Sequence, residues 1–217
     1  MVDPISSALC KHYSNTFAKY GSTPKGVDWG DNSSSSWLRQ KIMAELFSSS
    51  ASNHLGNLPT LLDVGCGYGA LYDYIKSENI EVIYTGVDIV DDMILSASHR
   101  NPNASFVCAD FFDPSFYGSF DYVVCNGIFT QKLASSILDM NIYCQKFIKK
   151  MYECSTKGIA FNAMSTFVNF QMDNLYYRNP SEFLAWCMSE ITPRVRLNAA
   201  YDLWYEYTVY LYHPNSY

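Results

Sequence analysis

The chain has 217 residues, a formal net charge of −6, aromatic residues at 16% and charged residues at only 17%. That length suits one domain with a full core. The acidic balance, with no basic run beyond Lys149-Lys150, argues against a nucleic-acid partner, and apolar stretches no longer than a strand exclude a transmembrane helix.

Two helices are expected first, around Ile5 to Lys19 and from Trp37 to about Phe47. The serine run Ser33 to Ser36 reads as a flexible or capping stretch before the second. Between them, Tyr20 to Gly30 is rich in Gly and Pro and reads as a loop. Its Trp29 covers either a ligand or the edge of the core.

The next segment, Leu61-Leu62-Asp63-Val64-Gly65-Cys66-Gly67-Tyr68-Gly69, is the most informative. A buried strand ends in an acid, and three alternate glycines follow. Backbone without side chains can approach a ligand closely at the end of a parallel sheet. Gly65-x-Gly67-x-x-Ala70 formally meets the dinucleotide fingerprint. The third glycine, Gly69, and the acid two residues before the first glycine depart from it.

A second strand, Glu81 to Asp88, also ends in an acid. Asp88 lies about twenty residues past the glycines, the spacing of a carboxylate that accepts hydrogen bonds from ribose hydroxyls. In a wet cleft it is expected to add little to folding. Asp91 and Asp92 suit the cap of a helix near Met93. A third strand runs Ser105 to Asp110, before the Phe111-Phe112 loop, and a fourth runs Phe120 to Gly127. A helix from about Ala134 to Glu153 leads to a fifth strand, Lys157 to Asn162.

Thr166 to Arg178 is aromatic without a period. Together with the N-terminal segment through Trp29, it is expected to close as a lid. Asn179-Pro180-Ser181-Glu182 opens another helix. Two last strands, Arg194 to Tyr201 and Trp204 to Tyr212, form a hairpin whose final strand runs antiparallel. The whole reads as an α/β fold, a doubly wound, mostly parallel sheet with helices on both faces.

Seven cysteines without a C-x-x-C pair, four scattered histidines and no charged-then-apolar leader predict a cytoplasmic protein with no metal site.

The D-x-G-x-G-x-G pattern at Asp63 to Gly69, the spaced acids and the terminal hairpin resemble class I S-adenosylmethionine-dependent methyltransferases over nearly the whole chain. Lys25-Gly26-Val27-Asp28-Trp29, Gly65 to Leu71, Tyr84 to Ile89, Asn126-Gly127-Ile128-Phe129 and Lys157 to Asn162 resemble a bacterial group acting on small molecules. The resemblance implies a Rossmann-like, seven-stranded fold as a single domain, residues 1–217, with a helical cap over 1–58 and a catalytic core over 59–217. The implied cofactor is S-adenosyl-L-methionine. Gly65, Cys66, Gly67 and Gly69 would pack under its methionine half, and Asp63 would hold its ammonium. Asp88 and Ile89 would border the ribose, with Asp110 and Phe111 at the adenine. Asn126 would lie beside the sulfonium, and Trp29 and Arg39 would close the site, with Arg39 on the cofactor carboxylate.

The substrate pocket is expected from Tyr13, Trp29, Phe129, Asn162, Tyr176 and Tyr177. Where the acceptor must lose a proton, the candidate bases are His12, Tyr13, Glu206 and His213. No G-x-S-x-G occurs, so covalent catalysis by a serine triad is not indicated. The leading function is methylation of an O or N atom of a small molecule in biosynthesis, by a monomer or homodimer that binds neither nucleic acid nor membrane. An RNA- or protein-directed methyltransferase is a second reading. Asn126-Gly127-Ile128-Phe129, standing where an N/D-P-P-Y/F tetrapeptide would be, counts against it. A third is a catalytically silent cofactor-binding regulatory subunit, which the intact acids at Asp63, Asp88 and Asp110 disfavour.

Overall fold

A computed structural model describes residues 2–48, 57–114, 116, 118–203 and 205–214. Helix α1 (Pro4–Tyr20) starts where Asp3 caps it, Oδ1 accepting the Ile5 N–H at 2.8 Å, with Pro4 in the first turn, where a missing N–H costs nothing. A short 3₁₀ turn, Pro24–Val27, follows. Helix α2 (Ser33–Ala44) starts earlier than expected. The Asn32 side chain accepts the N–H groups of Ser34 and Ser35, so the serine run forms the first turn rather than preceding it.

The core then alternates: β1 (Thr60–Val64), α3 (Ala70–Ser77), β2 (Ile83–Asp88), α4 (Asp91–Arg100), β3 (Ser105–Cys108), β4 (Phe120–Cys125), α5 (Ile137–Glu153) and β5 (Ser155–Ser165). It ends with β6 (Tyr177–Arg178), α6 (Pro180–Glu190), β7 (Val195–Asn198) and β8 (Glu206–Tyr212). The expected end of β3 at Asp110 comes two residues early, and the turn carrying Asp110 follows it. Trp204, expected to begin the last strand, lies outside the described residues.

The sheet runs β3-β2-β1-β4-β5-β8-β7. The first five strands of that order pair parallel, and β8 pairs antiparallel with both β5 and β7. This is the expected seven-stranded path. The short β6 adds an eighth strand beside the end of β5. The direction of strand succession reverses between β1 and β4, which opens a crevice at their carboxyl ends.

Alternation along each strand supplies two cores. Leu61, Tyr122, Val124 and Tyr210 face α2 and α3. Leu62, Val123, Cys125, Val209 and Leu211 face the α5 and α6 side. Among the described residues, no helix is long and apolar enough to cross a membrane.

Phe129, expected in the substrate pocket, belongs to the second core. It is fully buried, with ring centroids 5.4 Å from Phe147 and 5.9 Å from Phe161. Truncating it empties space that rigid neighbours cannot fill. Phe129→Ala should therefore cost about 3–5 kcal/mol of stability, read from the shift in denaturant midpoint at unchanged m-value.

Candidate functional site

The crevice holds a cleft with about 960 Å³ of empty space including its mouth. Register brings its parts together. Val64 pairs with both Val87 and Cys125, and Asp88 pairs with Cys108, so the turns beginning at Gly65, Ile89, Ala109 and Asn126 share one edge of the sheet. Helix α1 and the loop after it supply the opposite wall through Leu9, Cys10, Tyr13, Val27 and Trp29.

The glycine turn is built for close approach. Gly65 has φ +75°, and a Cβ there would stand 2.6 Å from Ile128 Cδ1. Any side chain would be both strained and in collision. The turn is braced by Asp88, whose Oδ2 accepts the Gly67 N–H at 2.9 Å while Oδ1 accepts the Val90 N–H at 2.9 Å. The expectation that Asp88 adds little to folding is corrected on that ground. Asp110 folds its own turn by accepting the Phe112 N–H at 2.9 Å and also lines the cleft.

Asp63 is 2% exposed, and its Oδ2 accepts the Tyr84 hydroxyl at 2.7 Å. Burial pushes its carboxyl up to about 7, the Tyr84 hydrogen bond lowers it, and the Asp88 charge raises it again. Asp88 is raised as well, chiefly by burial, against the pull of its backbone donors. Two buried acids at a largely apolar cleft are thus poised to gain from a cation.

Of the expected site residues, the structure gathers Tyr13, Trp29, Asp63, Gly65, Cys66, Gly67, Asp88, Ile89, Asp110, Phe111 and Asn126 around this cleft. Gly69 stands behind it as the left-handed N-cap of α3. Gln40, Tyr68, Met93 and Tyr143 also line the cleft and were not expected. Tyr68 stands between two glycines of the motif and was passed over, whereas Gln40, Met93 and Tyr143 carry no motif and only the packing of helices onto the sheet brings them there.

Other expectations are corrected by what each side chain touches. Arg39 is committed to Glu206, its Nε donating to both carboxylate oxygens at 3.0 Å with Nη2 on the same group. Both are nearly buried beside the cleft rather than in it. Asn162 joins them: its Oδ1 accepts the Gly127 N–H at 2.7 Å, and its Nδ2 donates to Glu206 at 3.3 Å. Tyr176 is buried and donates to Asn141, while Tyr177 accepts from the Met172 N–H at 3.1 Å. No residue of 166–178 lines the cleft, whereas Tyr13 and Trp29 of the N-terminal segment do.

The proposed bases are likewise relocated. His12 Nε2 lies 3.1 Å from Asp28 and outside the cleft wall. His213 stacks on Tyr152 at 3.9 Å and does not line the cleft. Tyr13 does face the cleft, but burial, and then Asp28, raise its phenol. It can donate a hydrogen bond there but is no phenolate base at neutral pH.

Comparison with known proteins places this geometry. A family model described as a methyltransferase domain matches residues 61–157. A Mycobacterium tuberculosis (strain ATCC 25618 / H37Rv) protein, provisionally named a methyltransferase, is 32% identical over 152 residues, covering 68% of this chain and 89% of its own. Among solved structures, magnesium protoporphyrin IX methyltransferase from Synechocystis PCC 6803 with bound SAM superposes with TM-score 0.64 at 14% identity, covering 98% of each chain. The plantazolicin methyltransferase BpumL in complex with SAH gives TM-score 0.60 at 15% identity, covering 95% of this chain and 96% of its own.

The raised acid has a consequence for the empty protein. A carboxyl whose folded value lies above its unfolded one stabilises the fold fully below the unfolded value and loses that contribution as pH rises. For Asp63 the loss runs from its ordinary value of 3.8 up to about 7. Asp63→Asn keeps an acceptor for Tyr84 and has no charge to bury. Its melting temperature should hold across pH 4 to about 7, where wild type declines on this account, as thermal scans over that range would show.

Proposed function

The chain belongs to the S-adenosylmethionine-dependent methyltransferases of class I fold, and we propose that it methylates an O or N atom of a small molecule in a biosynthetic pathway. The observation that carries the reading is the meeting of Asp63, Asp88 and Asp110 with the glycine turn in one apolar cleft. The scarcity of basic residues and the aromatic wall support a small acceptor over a nucleic acid. Seven free cysteines support a reducing, cytoplasmic setting. Residues 1–58 would act as the cap of a single catalytic domain.

The residues present suit the cofactor. Gly65 and Gly67 leave a cradle that a Cβ would fill, against Ile128 in the first case and Val27 in the second. Asp63 would hold the ammonium of the methionine half, Asp88 with Ile89 the ribose, and Asp110 with Phe111 the adenine side. When bound, S-adenosylmethionine supplies an electrophilic methyl carbon on a positively charged sulfur. The protein's own part is to align the acceptor with that carbon and keep water out. Tyr13 and Trp29 shield the cleft from the N-terminal side. Of the expected bases, His12 and His213 lie outside the cleft and the Tyr13 phenol stays protonated at neutral pH, which fits transfer to an acceptor that sheds its proton easily or afterwards.

Calorimetry provides the test. The protein should bind S-adenosylmethionine and S-adenosylhomocysteine and ignore NAD; binding of NAD without any response to S-adenosylhomocysteine would overturn the reading. Asp88→Ala should weaken binding by roughly 1.5–3 kcal/mol, the scale of hydrogen bonds to a charged group. It should also lower the melting temperature of the empty protein, because the Gly67 and Val90 N–H groups lose their acceptor.

A second measurement follows the charge on Asp63. Holding an ammonium requires the ionised carboxylate, so affinity for S-adenosylhomocysteine should fall by up to about tenfold per pH unit below about 7 and level off above it. An affinity independent of pH from 5.5 to 7.5 would remove Asp63 from that role.

A further inference from the structure

The cysteines divide by exposure. Cys66, Cys125, Cys144, Cys154 and Cys187 are buried, whereas Cys10 is half-buried and Cys108 is exposed. The two that reach solvent come from distant parts of the chain, Cys10 from α1 and Cys108 from the last position of β3. They nevertheless meet at one atom. Cys10 Sγ lies 3.7 Å from the Ile89 carbonyl oxygen, and Cys108 Sγ lies 4.0 Å from the same oxygen. The two sulfurs therefore stand no farther apart than those distances laid end to end.

Neither thiol is held firmly. A thiol is a weak donor, and both contacts are long. The elements that carry them can give. β3 stands at one end of the strand order, paired on one side by β2. Helix α1 meets this side of the core through a small cluster, in which Cys10 and Tyr13 pack with Phe17, Val90 and Met93. Burial first, and then the Asp91 and Asp88 carboxylates, push the Cys108 thiol up. Ionisation at neutral pH is thereby limited, so chemistry at this pair answers a sustained oxidising poise rather than a brief pulse.

We propose that Cys10 and Cys108 form a reversible disulfide that ties α1, one wall of the cleft, to the end of β3. The oxidant is a low-molecular-weight disulfide. One protein thiolate attacks a sulfur of that molecule, forms a mixed disulfide and expels a small thiolate. The second protein thiolate attacks the protein sulfur of the mixed disulfide and expels the other small thiolate. The expelled thiolates take up the two protons that the protein thiols gave to water, and two electrons pass from the protein to the small disulfide. Reduction runs the same steps backwards.

The bond would cross Ile89, which lines the cleft together with Cys10, Leu9 and Tyr13. Anchoring α1 at Cys10 restrains that whole wall. On the cofactor reading proposed above, on which this consequence rests, the bridged protein exchanges S-adenosylhomocysteine more slowly than the reduced one.

The bond and its consequence are tested separately. The full chain is equilibrated in glutathione and glutathione disulfide at a series of ratios, and its free thiols are then blocked by alkylation. As the ratio turns oxidising, a tryptic species should appear that joins the peptide ending at Lys11 to the one running from Asn101 to Lys132. The second peptide also contains Cys125, so Cys108→Ser decides which sulfur is linked: it should abolish the species. Cys10→Ala should abolish it as well, and it serves should the serine variant fail to fold. A link that persists in either variant, or none at any ratio, would overturn the assignment. Release of S-adenosylhomocysteine, followed by stopped-flow tryptophan fluorescence, should be severalfold slower from oxidised than from reduced wild type and indifferent to the ratio in Cys108→Ser. Equal rates in both forms of wild type would overturn the restraint on the wall. A wild type that does not bind S-adenosylhomocysteine would instead overturn the parent reading, while the peptide measurement still decides the disulfide.

Discussion

Asp88 ties the cleft together. One carboxylate oxygen holds the Gly67 N–H and the other holds the Val90 N–H, so a single side chain joins the glycine turn after β1 to the entry of α4. Without it, two backbone donors on adjoining turns would look for partners in a cleft whose lining is largely apolar. The sheet sets where those turns begin, and Asp88 sets the shape they take relative to each other. Its stabilising role and its expected ligand role draw on the same oxygens. A ribose hydroxyl arriving there would add to an existing acceptor rather than meet a bare charge, and a carboxylate can accept several bonds at once.

A second polar construction lies beneath the opposite wall. Arg39, Glu206, Asn162, Gly127, Asn126 and Gln40 form a chain that returns to α2. Burying such a chain is no cheap route to stability, since apolar side chains of like volume often serve as well. What polar bonds provide here is direction. They fix Gly127 in a left-handed turn against Trp29 and fix one face of the Asn126 amide, which an apolar core would leave to packing alone. Arg39 and Glu206, expected to meet ligand and proton directly, act one layer further out.

The fold was readable because its signals are local. Period-two strands, acids at strand ends and glycines where side chains cannot fit all lie within a few residues of each other, and the terminal hairpin announced the antiparallel edge. The meeting of Asp63, Gly65, Gly67 and Asp88 at one cleft was readable for the same reason, as they lie at or just past strand ends whose register the sheet dictates. Side chains whose positions depend on distant partners were not readable. Nothing near Glu206 in sequence reveals Arg39, 167 residues away. Phe129 and Tyr176 looked like pocket residues because aromatic character alone does not tell a cleft wall from a core. Gln40 escaped notice because an amide on a helix has no signature, and only its burial against Asn126 gives it meaning.

The cleft gathers several groups that burial makes costly. Asp63 is buried with a raised carboxyl, Asp88 is raised beside it, and the Asn126 oxygen lacks a donor. Each of these states is costly alone, and a cation near the acids would relieve the first two. The acids lie at the β1 and β2 ends and the amide just after β4, the strand paired with β1. The cost at the acids is electrostatic and falls with a counter-charge, whereas the cost at the amide is a missing hydrogen bond that a charge alone does not supply.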